Sequence, residues 1–175
     1  MNSTSDLLSH FMTNMRELPI NELTFEHFKQ LVMPLQLTNA VIEQHLQFND
    51  DTYTRHFVCR TPQFDLLLLG WKTGQFSSIH DHSNSWSAVR VIRGILTSRT
   101  FKIVDNQLKR MPARLVSEEE GHKEQWAFLD RGEVHQLGNV APENLVTMHV
   151  YSPPLRTMTY YFTDSTQTEQ IQVHP

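Results

Sequence analysis

Apolar positions recur along this chain with two different periods. Over residues 1–50 the spacing is helical. In "DLLSHFMTNMREL" the apolar residues fall three and four apart, which predicts a first helix. In "LTFEHFKQLVMPLQL", Thr24 stands where an N-cap belongs and Phe25, Phe28, Leu31 and Val32 make one face. Pro34 disfavours helix at the residue before it, so this second helix must stop near Val32. Thr38 caps a third, "NAVIEQHLQF". All three apolar faces are read as packing surfaces.

After Asn49-Asp50-Asp51 the period falls to two. Nine short runs follow: "YTRHFVC", "FDLLLLGW", "SAVRVIRG", "ILTSRTFKI", "ARLVSE", "EQWAFLD", "HQLGNV", "LVTMHVYS" and "MTYYF". Turn residues separate most of them, as in a β-sandwich or a small barrel. The polar tail "TQTEQIQVHP" is expected to fray. No repeat or linker interrupts the pattern. Residues 1–175 are therefore read as one mainly β domain: helices over 1–50 packed outside, a barrel over 52–162, and a tail over 163–175.

Composition narrows the function classes. The formal net charge is −4, which argues against a large nucleic-acid footprint. No apolar run approaches the roughly 20 residues of a membrane helix. The opening "MNSTSDLLSHF" lacks the pattern of a secretory leader. Cys59 is the one cysteine, so no internal disulfide forms, which fits a reducing cytosol. The expectation is a cytoplasmic monomer with small-molecule partners, not nucleic acid or membrane.

Histidine changes that plain picture, with ten in 175 residues. His80 and His82 lie two apart in "SSIHDHSNS", so an extended chain would point both to one face, about 7 Å apart. Two neutral imidazoles inside a β-fold are either stranded polar groups or metal ligands. A third ligand must come from elsewhere, and both His135 and His149 sit on predicted strands. From Gly74 the chain reads five residues, His80, one residue, His82, four residues, Ser87, six residues, Gly94. Later it reads Gly132, two residues, His135, three residues, Asn139. This resembles the paired motif of the cupin superfamily, small β-barrels with an internal metal. It departs at Ser87, where many cupins have a glutamate ligand, and its second half lacks an upstream glycine and proline. The resemblance implies a three-histidine site of His80, His82 and His135. His10, His27 and His45 fall on helices, His174 in the tail, and His56 and His122 outside the frame.

Three neutral imidazoles would leave a divalent ion's charge uncompensated, favouring an anionic ligand and lowering the pKa of a bound thiol. Ligand type alone leaves Zn, Cu, Fe and Ni open. In "TMHVY", Thr147, His149 and Tyr151 share a face and make a polar relay rather than a packing surface. Tyr53 and Arg55 also share a parity. An inward arginine needs a partner. Its planar fork suits either a ligand carboxylate or an internal Asp or Glu.

Taken together, "YTR" at 53–55, "SSIHDHSNS" at 77–85, the Gly132–Asn139 motif and "HVYSPP" at 149–154 resemble the thiol dioxygenases, and among them the cysteine dioxygenases. The match runs from about Thr52 to Tyr161. The resemblance implies Fe(2+) on His80, His82 and His135, and addition of both atoms of O2 to the sulfur of L-cysteine. It gives Arg55 the substrate carboxylate with Tyr53 in support, makes Tyr151 the active-site phenol, and has Thr147 and His149 orient it. It also implies a cis peptide at Ser152-Pro153. Animal members carry, at the position of Ser87, a cysteine linked to the tyrosine; here that link cannot form. Competing readings are a dioxygenase of 3-mercaptopropionate or another small thiol, a metal-containing cupin that only binds or senses, and a zinc hydrolase or isomerase.

Overall fold

The computed structural model describes residues 4–17, 22–103, 113–163 and 169–172. Three helices come first: α1 (Thr4–Glu17), α2 (Phe25–Val32) and α3 (Asn39–His45). The two caps read from the sequence are both made. Thr24 Oγ1 accepts from the His27 N–H at 3.2 Å, and Thr38 Oγ1 from the Val41 N–H at 3.2 Å. The second helix ends at Val32, ahead of Pro34, and the third stops at His45 because Leu46 turns extended.

Eleven strands follow among the described residues. They are β1 (Thr54–Arg60), β2 (Asp65–Trp71), β3 (Ile79–His80), β4 (Trp86–Arg93), β5 (Leu96–Ile103) and β6 (Ala113–Gly121). The remainder are β7 (Trp126–Leu129), β8 (Val134–Gly138), β9 (Leu145–Ser152), β10 (Thr157–Tyr161) and β11 (Glu169–Gln172). Nine match the nine period-two runs. Two are additions. The two-residue β3 is too short to leave a periodic signature, and β11 lies within the tail expected to fray. Thr157 to Tyr160 of β10 pair with β11, so backbone hydrogen bonds to a neighbour order those four residues, three of them polar.

The strands form two antiparallel sheets, β1-β2-β9-β4-β7 and β11-β10-β3-β8-β5-β6. Among the described residues no ladder joins them, so the expected small barrel is realised as a two-sheet jelly roll. Two cores follow. Helices α1 to α3 lay Phe11, Met15, Phe28, Val32 and Ile42 on the outer face of the five-stranded sheet, against Phe64, Leu66, Leu68, Met148 and Val150. Between the sheets lie Leu67, Leu69, Trp71, Val89, Leu137 and Leu145. Strands β2, β4 and β9 are thus covered on both faces. That explains why "LLLL" in β2 shows no alternation.

The segment that leads into Tyr53 and β1 is held against β2. Gln47 presents its carbonyl to Thr54 Oγ1 at 2.5 Å, and a Cβ placed on Gly70 would lie 2.4 Å from that same carbonyl oxygen. Gly70→Ala should therefore overpack this contact and cost about 1–3 kcal/mol. Thermal melts should show a loss of several degrees. An unchanged Tm would mean that the 46–52 segment does not press on β2.

Candidate metal centre

His80 ends β3 and His135 sits on β8, directly opposite it in the ladder. His82 reaches the cluster differently from what strand parity predicts. The strand stops at His80, and Asp81 turns the chain. One Asp81 carboxylate oxygen accepts the Ser83 N–H at 2.9 Å and the Thr159 N–H at 3.3 Å. The other accepts the Tyr161 hydroxyl at 2.7 Å. Ser83 takes a positive φ of 50° to complete the turn. The buried Asp81, unremarked in the sequence, is thus what aims His82; the pleat is not. The His80 and His82 ring centroids end 5.0 Å apart.

The three rings meet through Nε2. His82 Nε2 lies 3.2 Å from His80 Nε2 and 3.3 Å from His135 Nε2. All three residues are at most 5% exposed. Burial holds His80 down to about 4, and His82 and His135 well below the usual histidine range, the latter two also through the neighbouring rings. All are therefore neutral at neutral pH, each with one lone pair. For His80 the tautomer follows from its partner: Nδ1 lies 2.7 Å from the Ser78 carbonyl, which can only accept, so Nε2 carries the lone pair.

Such a donor set fits a metal ion. His80, His82 and His135 form the one group of three or more potential ligands among the described residues. Two imidazole nitrogens 3.2 Å apart, each about 2.1 Å from an ion, subtend about 100° at it, between octahedral and tetrahedral angles. No carboxylate joins the cluster, so the ion's charge would be left for a ligand to neutralise.

Across the cavity, β9 contributes the polar row. Its residues Thr147, His149 and Tyr151 are all buried. Thr147 Oγ1 lies 2.9 Å from His149 Nε2, and His149 Nδ1 lies 3.1 Å from the Tyr151 hydroxyl. Burial holds His149 down to about 3 and pushes Tyr151 up to about 12, so both are neutral. The Tyr151 ring packs edge-on to His82 at 5.0 Å. Ser87 lies opposite Tyr151 in the β4–β9 ladder, fully buried. The Ser152-Pro153 peptide that follows is cis.

Arg55 and Tyr53 line the same cavity as the three histidines, His149 and Tyr151. Among the described residues Arg55 has no carboxylate partner. Its recorded polar contact is Nη1 to Met158 Sδ at 4.0 Å. The internal ion pair open to this arginine is thus not formed among the described residues, and Arg55 lines the cavity. The space is small, about 20 Å³, little more than one water needs. A roomier cleft of about 400 Å³ lies elsewhere, between the α2–α3 segment and β4. Its buried Arg90 already donates to the Leu35 carbonyl at 2.6 Å and to Glu124.

Two cavity residues carried no sequence signal. Trp71 sits on doubly buried β2 and donates its indole N–H to Thr147 Oγ1 at 2.9 Å while stacking on Tyr53 at 4.2 Å. Met158 comes from β10 to meet Arg55. His122 is exposed near Glu120, and His45 bonds within its own helix, so neither joins the site. His174 lies outside the described residues.

A family model described as Cysteine dioxygenase type I matches residues 21–164. Cysteine dioxygenase type 1 of Homo sapiens is 33% identical over 140 residues, covering 78% of this chain and 69% of the human one. The Rattus norvegicus protein of that name is 29% identical over 140 residues, with the same coverage. A Klebsiella pneumoniae protein with a double-stranded beta-helix domain has the same fold, with a TM-score of 0.57 at 17% identity over 69% of this chain and 88% of that one. A sugar phosphate isomerase from a cupin superfamily, from Silicibacter pomeroyi, gives 0.51 at 17% identity, over 70% and 77% of the two chains. These two likenesses speak for the fold alone. The family model spans most of the chain, including both histidine motifs and the β9 row, and on that ground the chain belongs to the cysteine dioxygenase type I family.

Proposed function

We propose that this protein is an iron-dependent thiol dioxygenase that converts L-cysteine to cysteine sulfinate. In this reading His80, His82 and His135 hold Fe(2+). When bound, the iron supplies the redox chemistry of oxygen, which redox-silent zinc lacks. Thiolate plus O2 gives sulfinate with atoms and charge balanced: both oxygens end on sulfur, which loses four electrons as O2 gains four. No separate reductant is needed.

The chain's own residues bind and orient. One observation carries the choice of an acidic substrate: a guanidinium with no acid partner among the described residues lines the same narrow cavity as three neutral imidazoles. Arg55 receives the carboxylate through two parallel hydrogen bonds. Tyr53, stacked on Trp71, supports that end. Tyr151 stays a neutral phenol and can donate a hydrogen bond to an anionic ligand in the cavity, with His149 and Thr147 holding it. The tightness of the pocket keeps water out, which strengthens each of these contacts. All these residues come from one chain, so a monomer suffices. The need for a reduced thiol fits a cytoplasmic setting.

Arg55→Ala tests the assignment. Loss of two charge-assisted hydrogen bonds should lower kcat/KM for cysteine about 10- to 100-fold. Activity on cysteamine, which has no carboxylate, should move by less than about twofold. Oxygen uptake measured with cysteine, 3-mercaptopropionate and cysteamine reads both effects. Wild-type kcat/KM for cysteine in the variant would refute the role of Arg55. A wild-type preference for 3-mercaptopropionate would keep that role and replace the substrate.

A further inference from the structure

The hydrogen bonds around Tyr151 form a chain of four groups with a fixed starting point. Trp71 Nε1–H lies 2.9 Å from Thr147 Oγ1, and an indole nitrogen can only donate. Thr147 therefore accepts there. Its hydroxyl has one proton left to give, and the other recorded contact of that oxygen is His149 Nε2 at 2.9 Å. Thr147 is fully buried, so a proton aimed anywhere else would go without an acceptor, which is costly. Hence Nε2 of the neutral His149 ring accepts and Nδ1 bears the hydrogen. Nδ1 lies 3.1 Å from the Tyr151 oxygen, so it donates to that oxygen. The phenol proton is then not used within the chain, and the hydroxyl lines the cavity shared with His80, His82, His135 and Arg55.

We propose that Trp71 is a positioning residue: its indole N–H sets the direction of the Thr147–His149–Tyr151 relay, so that Tyr151 offers its proton, not its lone pair, to the cavity ligand. The opposite direction would have Tyr151 spend its proton on His149 and present only lone pairs to an anionic ligand. A tryptophan at this place thus decides whether the phenol attracts or repels the negative end of what binds. Only the identity of that ligand rests on the thiol dioxygenase reading; the direction of the relay does not.

The histidine tautomer reports the direction without any turnover. Long-range proton–nitrogen correlation spectra of the isotope-labelled full chain, free of metal, should show His149 with a protonated Nδ1 and a bare Nε2. Thr147→Ser keeps the hydroxyl and should keep that tautomer. Trp71→Phe, which removes the N–H and retains a ring against Tyr53, should leave a mixture of tautomers. In the iron-loaded enzyme Trp71→Phe should lower kcat about fivefold to tenfold, roughly one hydrogen bond, with KM for cysteine within about twofold. Thr147→Val should lose as much, and adding Trp71→Phe to it should cost nothing further. A wild-type His149 protonated on Nε2 would overturn the proposal, and so would multiplying kcat losses in the double variant. Should Trp71→Phe fail to fold, the wild-type tautomer and the Thr147 pair still decide. Failure of the dioxygenase reading would show instead as absent oxygen uptake with the tautomer unchanged.

Discussion

His135→Ala should abolish metal binding and turnover while leaving the fold in place. Two imidazoles remain, and both belong to one short stretch of chain, on either side of Asp81. Without the ring that β8 brings opposite His80, the cluster keeps only the 3.2 Å His80–His82 pair. Losing even an outer partner of a metal ligand typically costs 10- to 100-fold in affinity, and losing a ligand should exceed that. Elemental analysis of the purified variant should find less than about a tenth of the wild-type iron, and kcat/KM should fall by more than about 100-fold. The folded state should persist, because the change removes a buried ring whose Nδ1 has no hydrogen-bond partner among the described groups. A variant that still carried nearly full iron would end the three-imidazole reading.

Mild acid should unfold the metal-free protein. Burial keeps His80, His82, His135 and His149 neutral, with His80 at about 4 and His149 at about 3. In the unfolded chain each titrates near 6.5. Below that pH the unfolded state takes up protons that the folded state refuses, so the stability present above about pH 6.5 drains away as pH falls toward 4. Each ring contributes a slope of about 1.4 kcal/mol per pH unit, and the four together about 5. Against a typical total of about 5–15 kcal/mol, about one to three pH units suffice. Urea midpoints taken at pH 7.5, 6.5 and 5.5 should fall steeply over the last interval, and His149→Gln should remove about a quarter of the slope. Equal midpoints at pH 7.5 and 5.5 would mean that these rings are not held neutral. Bound metal should steepen the acid loss, since protons compete for the same lone pairs.

Much of this protein is written locally. Thr24 and Thr38 cap their helices because a hydroxyl three residues ahead of a free N–H needs no other information. Pro34 ends α2 because it has no N–H with which to continue the ladder, although Met33 before it stays helical. The nine period-two runs became strands because alternation, or its loss on both-sided burial, is a property of a few adjacent residues. The glycine frame of the histidine motifs is local as well: Gly94 and Gly132 hold φ of +82° and +74°, which few other residues adopt. Through its resemblance to the cupin motifs, that frame set His80, His82 and His135 apart from seven other histidines.

What required the folded chain was every contact between distant segments. Residue types could not tell that Asp81, not the strand pleat, aims His82, since its partners Thr159 and Tyr161 lie almost 80 positions away. Arg55 fitted an internal acid as well as a ligand, and only the surroundings of its guanidinium separate the two. Trp71 lies in a strand buried on both faces, where alternation vanishes, so nothing local says which side it serves. The same holds for β11, whose polar residues order only through pairing with β10, and for the choice of two open sheets over a closed barrel. Periodicity and turn chemistry are set by neighbours in sequence. Pairing, burial of a charge and the direction of a hydrogen-bond relay are set by neighbours in space, and these exist only once the chain has closed on itself.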